Sequence, residues 1–318
     1  MQLVVNDITK RFGEKLALGG VSFTAGSGRP MGLLGRNGAG KTTAMRIIMN
    51  IFEPDSGTVS LDGQPIDPRT VRLGYLPEER GLYQKLPIGE QMLYFARLRG
   101  MSRADADTAI TRWLGRLGMT AERSKKLETL SKGNQQRIQL ALTLLHDPDV
   151  VILDEPFSGL DPVNATQLRE IIAEVAASGK LVIFSSHQMG AVESFCDDIV
   201  ILNKGQVSVS GTLSELRAAS PRDRIRIVAQ DGTAAEEIAA RYGSCDTAKQ
   251  GFVLTMSDLQ ARDRLLAELV SADVGIITFE TMEPSLEEIF VEAAGEEPAP
   301  DLTAPVEDSP RKRGRRRR

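Results

Sequence analysis

The sequence predicts an α/β protein with two folded units and a charged tail. Short apolar runs alternate with helical periodicity over residues 1–218, a pattern typical of a largely parallel sheet covered by helices. Strand signals disappear over about residues 84–130, where helical patterns replace them. A new series of strands and helices begins after Pro221. These observations favour an α/β domain with a helical insert, followed by a small α+β domain at residues 219–295.

Composition and termini narrow the class of protein. The chain has 318 residues, of which 41% are hydrophobic and 26% are charged, as in ordinary globular domains. No apolar stretch reaches the roughly 18 residues that a membrane-spanning helix needs, and the N-terminus lacks the features of a secretion signal. Cys196 and Cys245 match no metal-ligand spacing, so we expect small apolar core residues in a reducing compartment. The sequence therefore predicts a cytoplasmic protein.

The elements of the insert and of the second domain follow from local patterns. Helices are expected at Gly89–Arg99 and at Ser102–Leu117, the second with Ser102 as its N-cap. In the second domain the pattern predicts strands at 225–228, 252–256 and 276–279 and helices at 234–241, 259–270 and 286–293.

Residues 296–318 are predicted to form a disordered tail with a polybasic end. The segment 295–310 is rich in Glu, Pro and Ala and holds too few apolar side chains to order itself. Seven of the 39 basic residues stand in the last eight positions, so 32 basic residues face 43 acidic ones in the rest of the chain. Such an acidic body makes a specific nucleic-acid partner unexpected. The basic end is a solubilising or disordered terminus or a contact for anionic lipid, and nucleic acid or ribosomal RNA could attract the same charges.

Residues 35–42 carry the first chemical motif. They read Gly-Arg-Asn-Gly-Ala-Gly-Lys-Thr, which matches the phosphate-binding loop G-x-x-x-x-G-K-[ST] in full, between an apolar strand and an amphipathic helix. Backbone N–H groups of such a loop surround phosphate oxygens, Lys41 would reach the β- and γ-phosphates, and Thr42 would bind Mg²⁺. The predicted nucleotide-binding residues here are Gly35, Arg36, Asn37, Gly38, Ala39, Gly40, Lys41, Thr42 and Thr43.

A second motif ends the apolar strand at 150–153 with two carboxylates, Asp154 and Glu155. Open α/β sheets bind ligands at this edge, so Asp154 is the expected Mg²⁺ partner. Strand alternation directs Glu155 to the opposite side, where it would act as a general base on water. Alone, such a pair is more often a surface strand end; downstream of a phosphate loop the functional interpretation is favoured.

Further motifs carry a family resemblance. Leu130–Arg137 reads Leu-Ser-Lys-Gly-Asn-Gln-Gln-Arg, which resembles the signature motif Leu-Ser-Gly-Gly-Gln of ABC ATPases, a group of P-loop NTPases. Residues 158–161 resemble the D-loop of that family, and His187 resembles its switch histidine. Phe12 stands where these proteins stack an aromatic ring on adenine. Because the marks follow the order of the family, the resemblance covers the whole first domain.

This resemblance implies an ATP-hydrolysing transporter subunit that uses ATP and Mg²⁺ and works with a membrane permease at the inner face of the membrane. Two copies, or one copy and a related ATPase, would enclose two ATP molecules, the phosphate loop of one facing Ser131 and Gly133 of the other. The resemblance assigns catalysis to Glu155 and His187. It adds to the nucleotide site Phe12, Glu78, Ser131, Gly133, Asn134 and Asp161, and it assigns the metal to Thr42, Asp154 and Glu78.

The signature motif departs from the family pattern at two positions, Lys132 and Asn134, and the Q-loop departs at one, Glu78. Lys132 replaces a glycine of the signature motif, which puts a cation near the start of a helix. Glu78 replaces the glutamine of the Q-loop and would bind Mg²⁺ or orient water, although it adds negative charge beside the triphosphate. Together with the ending Glu283–Phe290, these variants resemble bacterial sodium-efflux and antibiotic-efflux ATPases. The sequence does not indicate the cargo.

Other functions fit the sequence less well. A GTPase would need Asn-Lys-x-Asp, whereas the segment 203–206 ends in glutamine. A ribosome- or DNA-directed ABC protein would more often carry two nucleotide domains or a long coiled coil, and a degenerate ATPase would lack the catalytic residues that are intact here. His146 belongs to no motif, and we expect it to interact with the C-terminal end of its helix.

Overall fold

The structure is a computed structural model that describes residues 1–79, 81–193, 195–256 and 258–294. The predicted tail from residue 296 onward lies outside the described residues.

The chain begins with an antiparallel sheet that the sequence does not predict. Its four strands have the spatial order β2-β1-β4-β5. Their bounds are β1 Gln2–Phe12, β2 Lys15–Gly26, β4 Ser56–Leu61 and β5 Gln64–Pro65. Alternating apolar and polar residues predict strands but do not reveal which sheet each strand joins. The prediction of one largely parallel sheet is therefore incomplete for this domain.

The central sheet has six strands in the order β10-β9-β3-β8-β7-β6. The strands are β3 Pro30–Leu34, β6 Leu73–Leu76, β7 Val150–Leu153, β8 Leu181–Ser186, β9 Asp198–Asn203 and β10 Gln206–Thr212. All pairs are parallel except β9 with β10. Every residue of β3, β7 and β8 is buried, as expected for parallel strands covered on both faces. The α/β class predicted from the sequence is confirmed.

Seven helices accompany these sheets in the described part of the first domain. They are α1 Lys41–Ile48, α2 Ile88–Leu98, α3 Arg103–Arg116, α4 Lys132–Leu144, α5 Pro162–Ala177, α6 Met189–Val192 and α7 Leu213–Ala219. The helices α2 and α3 form the insert, and Ser102 caps α3 by accepting a hydrogen bond from the Asp105 N–H at 3.1 Å. The insert shares its apolar core with α4 and with the central sheet.

The second domain is a four-stranded antiparallel sheet, ordered β12-β13-β11-β14, with two helices packed on it. Its elements are β11 Arg224–Ala229, α8 Gly232–Ala239, β12 Gly243–Thr247, β13 Phe252–Met256, α9 Arg262–Ser271 and β14 Ile276–Thr281. The edge strand β12 reads Gly-Ser-Cys-Asp-Thr and lacks apolar alternation, which explains why the sequence does not predict it.

The last helix, α10 Leu286–Ala294, does not pack in the core of the second domain. Leu286, Ile289 and Phe290 are buried in the core of the first domain, together with Met189 and Val192 of α6. The Leu286 N–H donates to the Glu193 carboxylate, and the Ser208 hydroxyl donates to the Ala293 carbonyl at 3.3 Å. The chain thus returns to the first domain after the second domain is complete.

Candidate functional site

The phosphate-binding loop connects β3 to α1. Gly35 has φ of +144° and a Cβ there would lie 2.3 Å from the Leu202 carbonyl oxygen, so only glycine fits. Gly40, directly before α1, has φ of +108°. The buried Lys41 ammonium donates to the Gly35 carbonyl at 2.6 Å, which holds the cation inside the loop. The loop therefore presents backbone N–H groups, a helix N-terminus and one fixed positive charge to the same space.

The carboxylates of Asp154 and Glu155 directly follow the end of β7, and both residues are held by Ser185 in the neighbouring strand β8. The Ser185 hydroxyl in β8 donates to Asp154 Oδ1 at 2.6 Å and accepts from the Glu155 N–H at 2.8 Å. Asp154 is 1% exposed, and its Oδ2 has no hydrogen-bond partner. A buried carboxylate oxygen with no donor carries a large desolvation cost, which a cation would offset.

Glu155 joins the lysine to the histidine. Its Oε1 lies 3.4 Å from the Lys41 ammonium, and its Oε2 accepts from His187 Nδ1 at 2.9 Å. The expectation that Glu155 faces away from Asp154 is wrong, since both side chains line one cleft. The strand ends at Leu153, and Glu155 has φ of +50°, so strand alternation no longer applies. A non-glycine residue in this conformation carries a strain energy of about 1–3 kcal/mol. Such strained backbone conformations recur at functional sites.

The loop and the carboxylates enclose a cleft of about 270 Å³. Eleven of the predicted site residues line it: Phe12, Asn37, Gly38, Ala39, Gly40, Lys41, Thr42, Thr43, Glu78, Asp154 and Glu155. Phe12 is 44% exposed at the end of β1 and meets Phe52 edge to face, with ring centroids 5.7 Å apart. Its exposed ring is available for stacking on a planar ligand. Lys15 and Ala17 of β2 also line the cleft and carry no motif that could have indicated them.

Four predicted site residues lie elsewhere. Ser131, Gly133, Asn134 and Asp161 do not line the cleft but meet at the starts of α4 and α5. Ser131 caps α4 by accepting from the Asn134 N–H at 3.3 Å, and a Cβ on Gly133 would lie 3.1 Å from the Asn164 side chain. The Asn164 N–H donates to Asp161 and holds the pKa of that carboxyl below its ordinary value. One chain therefore carries the two halves of the predicted site on separate surfaces.

Arg36 and His187 face a second, larger cavity of about 820 Å³. Residues 36–39 of the phosphate loop form one wall and residues 187–190 another. The third wall is α10, through Glu287, Phe290 and Val291. The helix that returns from the second domain therefore lies beside the phosphate loop and the predicted switch histidine.

Two glutamines of α4, the helix that follows the signature segment, form hydrogen bonds with segments that line the cleft. The Gln139 amide donates to the Pro77 carbonyl at 3.2 Å, next to Glu78, and the Gln136 amide donates to the Pro156 carbonyl at 3.3 Å, next to Glu155. Neither role is predictable from the sequence, because both contacts join segments that lie far apart along the chain.

His146 does not take the predicted helix-terminal role. The helix α4 ends at Leu144, and His146 Nε2 lies 3.1 Å from the Leu73 carbonyl of β6. Burial lowers the pKa of this imidazole below its usual range.

The two cysteines differ in burial. Cys196 is buried as expected, and burial raises its pKa to about 12. Cys245 is only half-buried, because it lies on the edge strand β12.

The residues of the cleft fit a magnesium ion bound with a nucleotide. Within the described ranges no three His, Cys, Asp or Glu side chains cluster to form a complete metal site. Asp154 offers its free Oδ2 and Thr42 a hydroxyl, both of them hard oxygen ligands. Magnesium is commonly held by one or two such groups together with substrate phosphates and water.

The helices of the described residues include none that is long and apolar enough to span a membrane.

Comparison with known proteins agrees with this geometry. Residues 18–158 match the ABC transporter family. An uncharacterized ABC transporter ATP-binding protein, YhaQ of Bacillus subtilis, is 38% identical over 294 residues, which cover 92% of this chain and 98% of the relative. A solved structure titled as the ATP-binding subunit of an ABC transporter shares 32% identity with a TM-score of 0.63, covering 69% of this chain and 92% of its own. The chain belongs to the ATP-binding proteins of ABC transporters, which hydrolyse ATP to power transport.

The second domain refines this assignment. Residues 211–294 match the C-terminal domain of DrrA1-3-like ATP-binding proteins. Two further relatives from Bacillus subtilis are similar. The linearmycin resistance ATP-binding protein LnrL is 29% identical over 92% of this chain and 98% of its own length. The ABC transporter ATP-binding protein NatA is 35% identical over 67% of this chain and 91% of its own. The resemblance inferred from the motifs is confirmed.

Proposed function

We propose that this chain is the motor of an ABC exporter, in which two ATPase chains enclose two ATP molecules and a separate membrane permease moves the cargo. One observation carries the proposal. Lys41, Asp154 and Glu155 line the cleft, and Glu155 accepts a hydrogen bond from His187 of the neighbouring cavity, whereas the signature segment 131–134 does not line the cleft. A nucleotide in the cleft would meet that segment only if a second chain supplied it.

The proposed roles follow from the chemistry of each group. Lys41 and the N–H groups of residues 36–43 bind the phosphates, and Phe12 stacks on adenine. Glu155 accepts a proton from the attacking water, while its bond to His187 keeps the carboxylate directed into the site. His187 holds the γ-phosphate end. As phosphoryl transfer depends mainly on positioning and charge stabilisation, a fixed lysine beside the phosphates would stabilise the charge that develops on them.

The metal would be magnesium, held by Thr42 and Asp154. When bound with ATP, it would neutralise charge on the phosphate oxygens. Glu78 is exposed and lines the same cleft, so its carboxylate would be a further oxygen ligand for the metal or would orient water beside it.

The second chain would contribute Ser131, Gly133, Asn134 and Asp161. Ser131 precedes α4, so free N–H groups and the positive end of the helix dipole would face the γ-phosphate. Lys132 is exposed beside them and adds a full positive charge. The partner is either an identical chain or a related ATPase.

The names of two relatives support export. LnrL confers linearmycin resistance, and a relative from Burkholderia lata, 36% identical over 64% of this chain and 69% of its own, is a Nod factor export protein. The second domain, which matches DrrA1-3-like proteins, fits the same group. The cargo would be selected by the permease, which leaves sodium, drugs, lipids and peptides as candidates.

A permease would hold this chain at the cytoplasmic face of the membrane. An exposed aromatic surface on the helical insert supports such a partner. It consists of the exposed side chains of Tyr83, Tyr94 and Leu98, with the half-buried Phe95 packed against both tyrosines, and Leu98 is 63% exposed. Lipid contact through residues 311–318 remains a proposal from the sequence, because those residues lie outside the described part.

Two substitutions test the catalytic core. Glu155→Gln removes the general base without removing a phosphate contact, so steady-state hydrolysis should fall about 10²- to 10⁴-fold while ATP affinity stays near wild type. The variant should elute as a dimer in size-exclusion chromatography with ATP and Mg²⁺. Lys41→Ala should lose nucleotide binding and remain a monomer. A Glu155→Gln protein that turns over normally and stays monomeric would refute the proposal.

A further inference from the structure

Ser185 is the penultimate residue of β8 and is fully buried. Residues 181–184 before it are apolar, and β8 lies between β3 and β7 in the middle of the sheet. In the parallel register Leu153 pairs with Phe184, so Ser185 falls beside Asp154. A hydroxyl at such a position is costly unless both its donor and acceptor functions are used.

The Ser185 hydroxyl both donates and accepts a hydrogen bond, and its two partners are Asp154 and Glu155. The hydroxyl donates to Asp154 Oδ1 at 2.6 Å, which fixes the side-chain rotamer and leaves Oδ2 as the free oxygen. The hydroxyl also accepts from the Glu155 N–H at 2.8 Å. That N–H belongs to the left-handed turn that directs Glu155 to Lys41 and His187. One side chain therefore supports both carboxylates.

We propose that Ser185 is a positioning residue, which orients Asp154 toward the metal and stabilises the backbone turn that presents Glu155 to water. This inference rests on the roles proposed above for Asp154 and Glu155. The neighbouring Ser186 differs, because its hydroxyl accepts from the Gln188 N–H at 3.0 Å and supports the loop after His187. Two adjacent buried serines thus serve different parts of the site.

Metal binding is the property that Ser185 should control. With the imido analogue of ATP bound, Ser185→Ala should weaken Mn²⁺ binding about 10-fold or more, as expected when a hydrogen-bond partner of a metal ligand is removed. Electron paramagnetic resonance of free Mn²⁺ measures this binding without turnover. Affinity for the analogue in the presence of a chelator should not change. Ser185→Thr keeps the hydroxyl and should restore most of the Mn²⁺ affinity.

Three controls separate the possible causes. Ser186→Ala should keep the Mn²⁺ affinity of the wild type, and thermal unfolding identifies any variant whose fold is damaged. Asp154→Asn tests the proposed metal site itself, which is wrong if this variant binds Mn²⁺ normally. If Asp154→Asn loses Mn²⁺ while Ser185→Ala binds it as tightly as wild type, the positioning role is overturned and the metal site stands. If Ser185→Ala is unstable, Ser185→Thr decides: failure of a folded threonine variant to bind Mn²⁺ overturns the role of the hydroxyl.

Discussion

Glu155 accepts a hydrogen bond from one side chain and lies close to the positive charge of another, although it is only 6% exposed. A buried carboxylate is tolerated because Lys41 and His187 offset its desolvation. Removing either partner would leave the charge poorly compensated. The cluster is therefore a single electrostatic unit, in which single substitutions are not expected to be additive.

His146 should make the stability of the fold sensitive to acid. Its pKa is lowered in the folded protein, chiefly by burial, so the unfolded chain takes up the proton first as the pH falls below about 6.5. Stability is then lost on acidification, with a slope of up to about 1.4 kcal/mol per pH unit from this group. The free energy of unfolding should fall more steeply for the wild type than for His146→Gln between about pH 7 and pH 5. Parallel curves from urea titrations would contradict this assignment.

Single residues differ in how far the sequence reveals them. Lys41 and Asp154 are predictable because local motifs fix their surroundings, and His187 is predictable from its place in the order of motifs. Ser185 is not, since its role depends on the register between β7 and β8. The sequence predicts the wrong direction for Glu155, because a left-handed turn replaces the strand at that residue.

At the scale of elements, α2 carries two surfaces. Ile88, Met92 and Ala96 are buried in the core, whereas Tyr94 and Leu98 are exposed on the other side of the helix. Large exposed apolar side chains that lie together commonly mark an interface. The aromatic contacts of Tyr83 with Tyr94 and Phe95 extend this surface beyond the helix.

We expect Tyr94→Ser with Leu98→Ser to weaken binding to urea-stripped inside-out membrane vesicles from the source organism about 10-fold or more. Truncation of a hot-spot residue near the centre of an interface typically costs more than about 1 kcal/mol, and we expect Tyr94 and Leu98 to occupy such positions. ATP binding by the isolated chain should not change. Val270→Ser is a control, because Val270 lies on α9 of the second domain and is 63% exposed, the same fraction as Leu98. Equal binding by the double variant and the control would exclude this surface as the docking site.

Helices and strands with strong local signals were predicted closely. Ser102 caps α3 as expected, and the helices of the insert end within a residue or two of their predicted bounds. The strand β12 was missed because only its partner β13 makes it a strand. The antiparallel sheet at the N-terminus was missed for a related reason, since pairing between distant strands leaves no local pattern.

At the scale of the whole molecule, α10 joins the second domain to the nucleotide site. The sequence groups this helix with the second domain, yet its apolar face lies in the core of the first, against α6. The periodicity of a helix indicates that one face is buried but not against what. Through α6, the position of α10 can affect the loop that carries His187.

Phe290→Ala should loosen this contact. Truncation of a buried phenylalanine typically costs about 3–5 kcal/mol, and here the loss falls on the contact between α10 and the first domain. Amide hydrogen exchange in residues 189–193 should become faster, and ATP hydrolysis should slow because α6 begins two residues after His187. Leu265→Ala is the control, because it opens the core of the second domain without touching α10. The same exchange increase in both variants would contradict a specific link.

The packing of α10 on the first domain also determines which contacts would bear a mechanical force applied at the C-terminal end of this helix. The second domain leaves the first beside Arg217 and comes back beside Glu283, and these two side chains form an ion pair at 3.2 Å. Because α10 is buried in the core of the first domain, the second domain forms a loop between two segments that the first domain holds, outside the path of tension through the chain. A force on the C-terminal end of α10 would be borne first by the contact of α10 with α6, which begins two residues after His187, before any strand of the second domain is stretched.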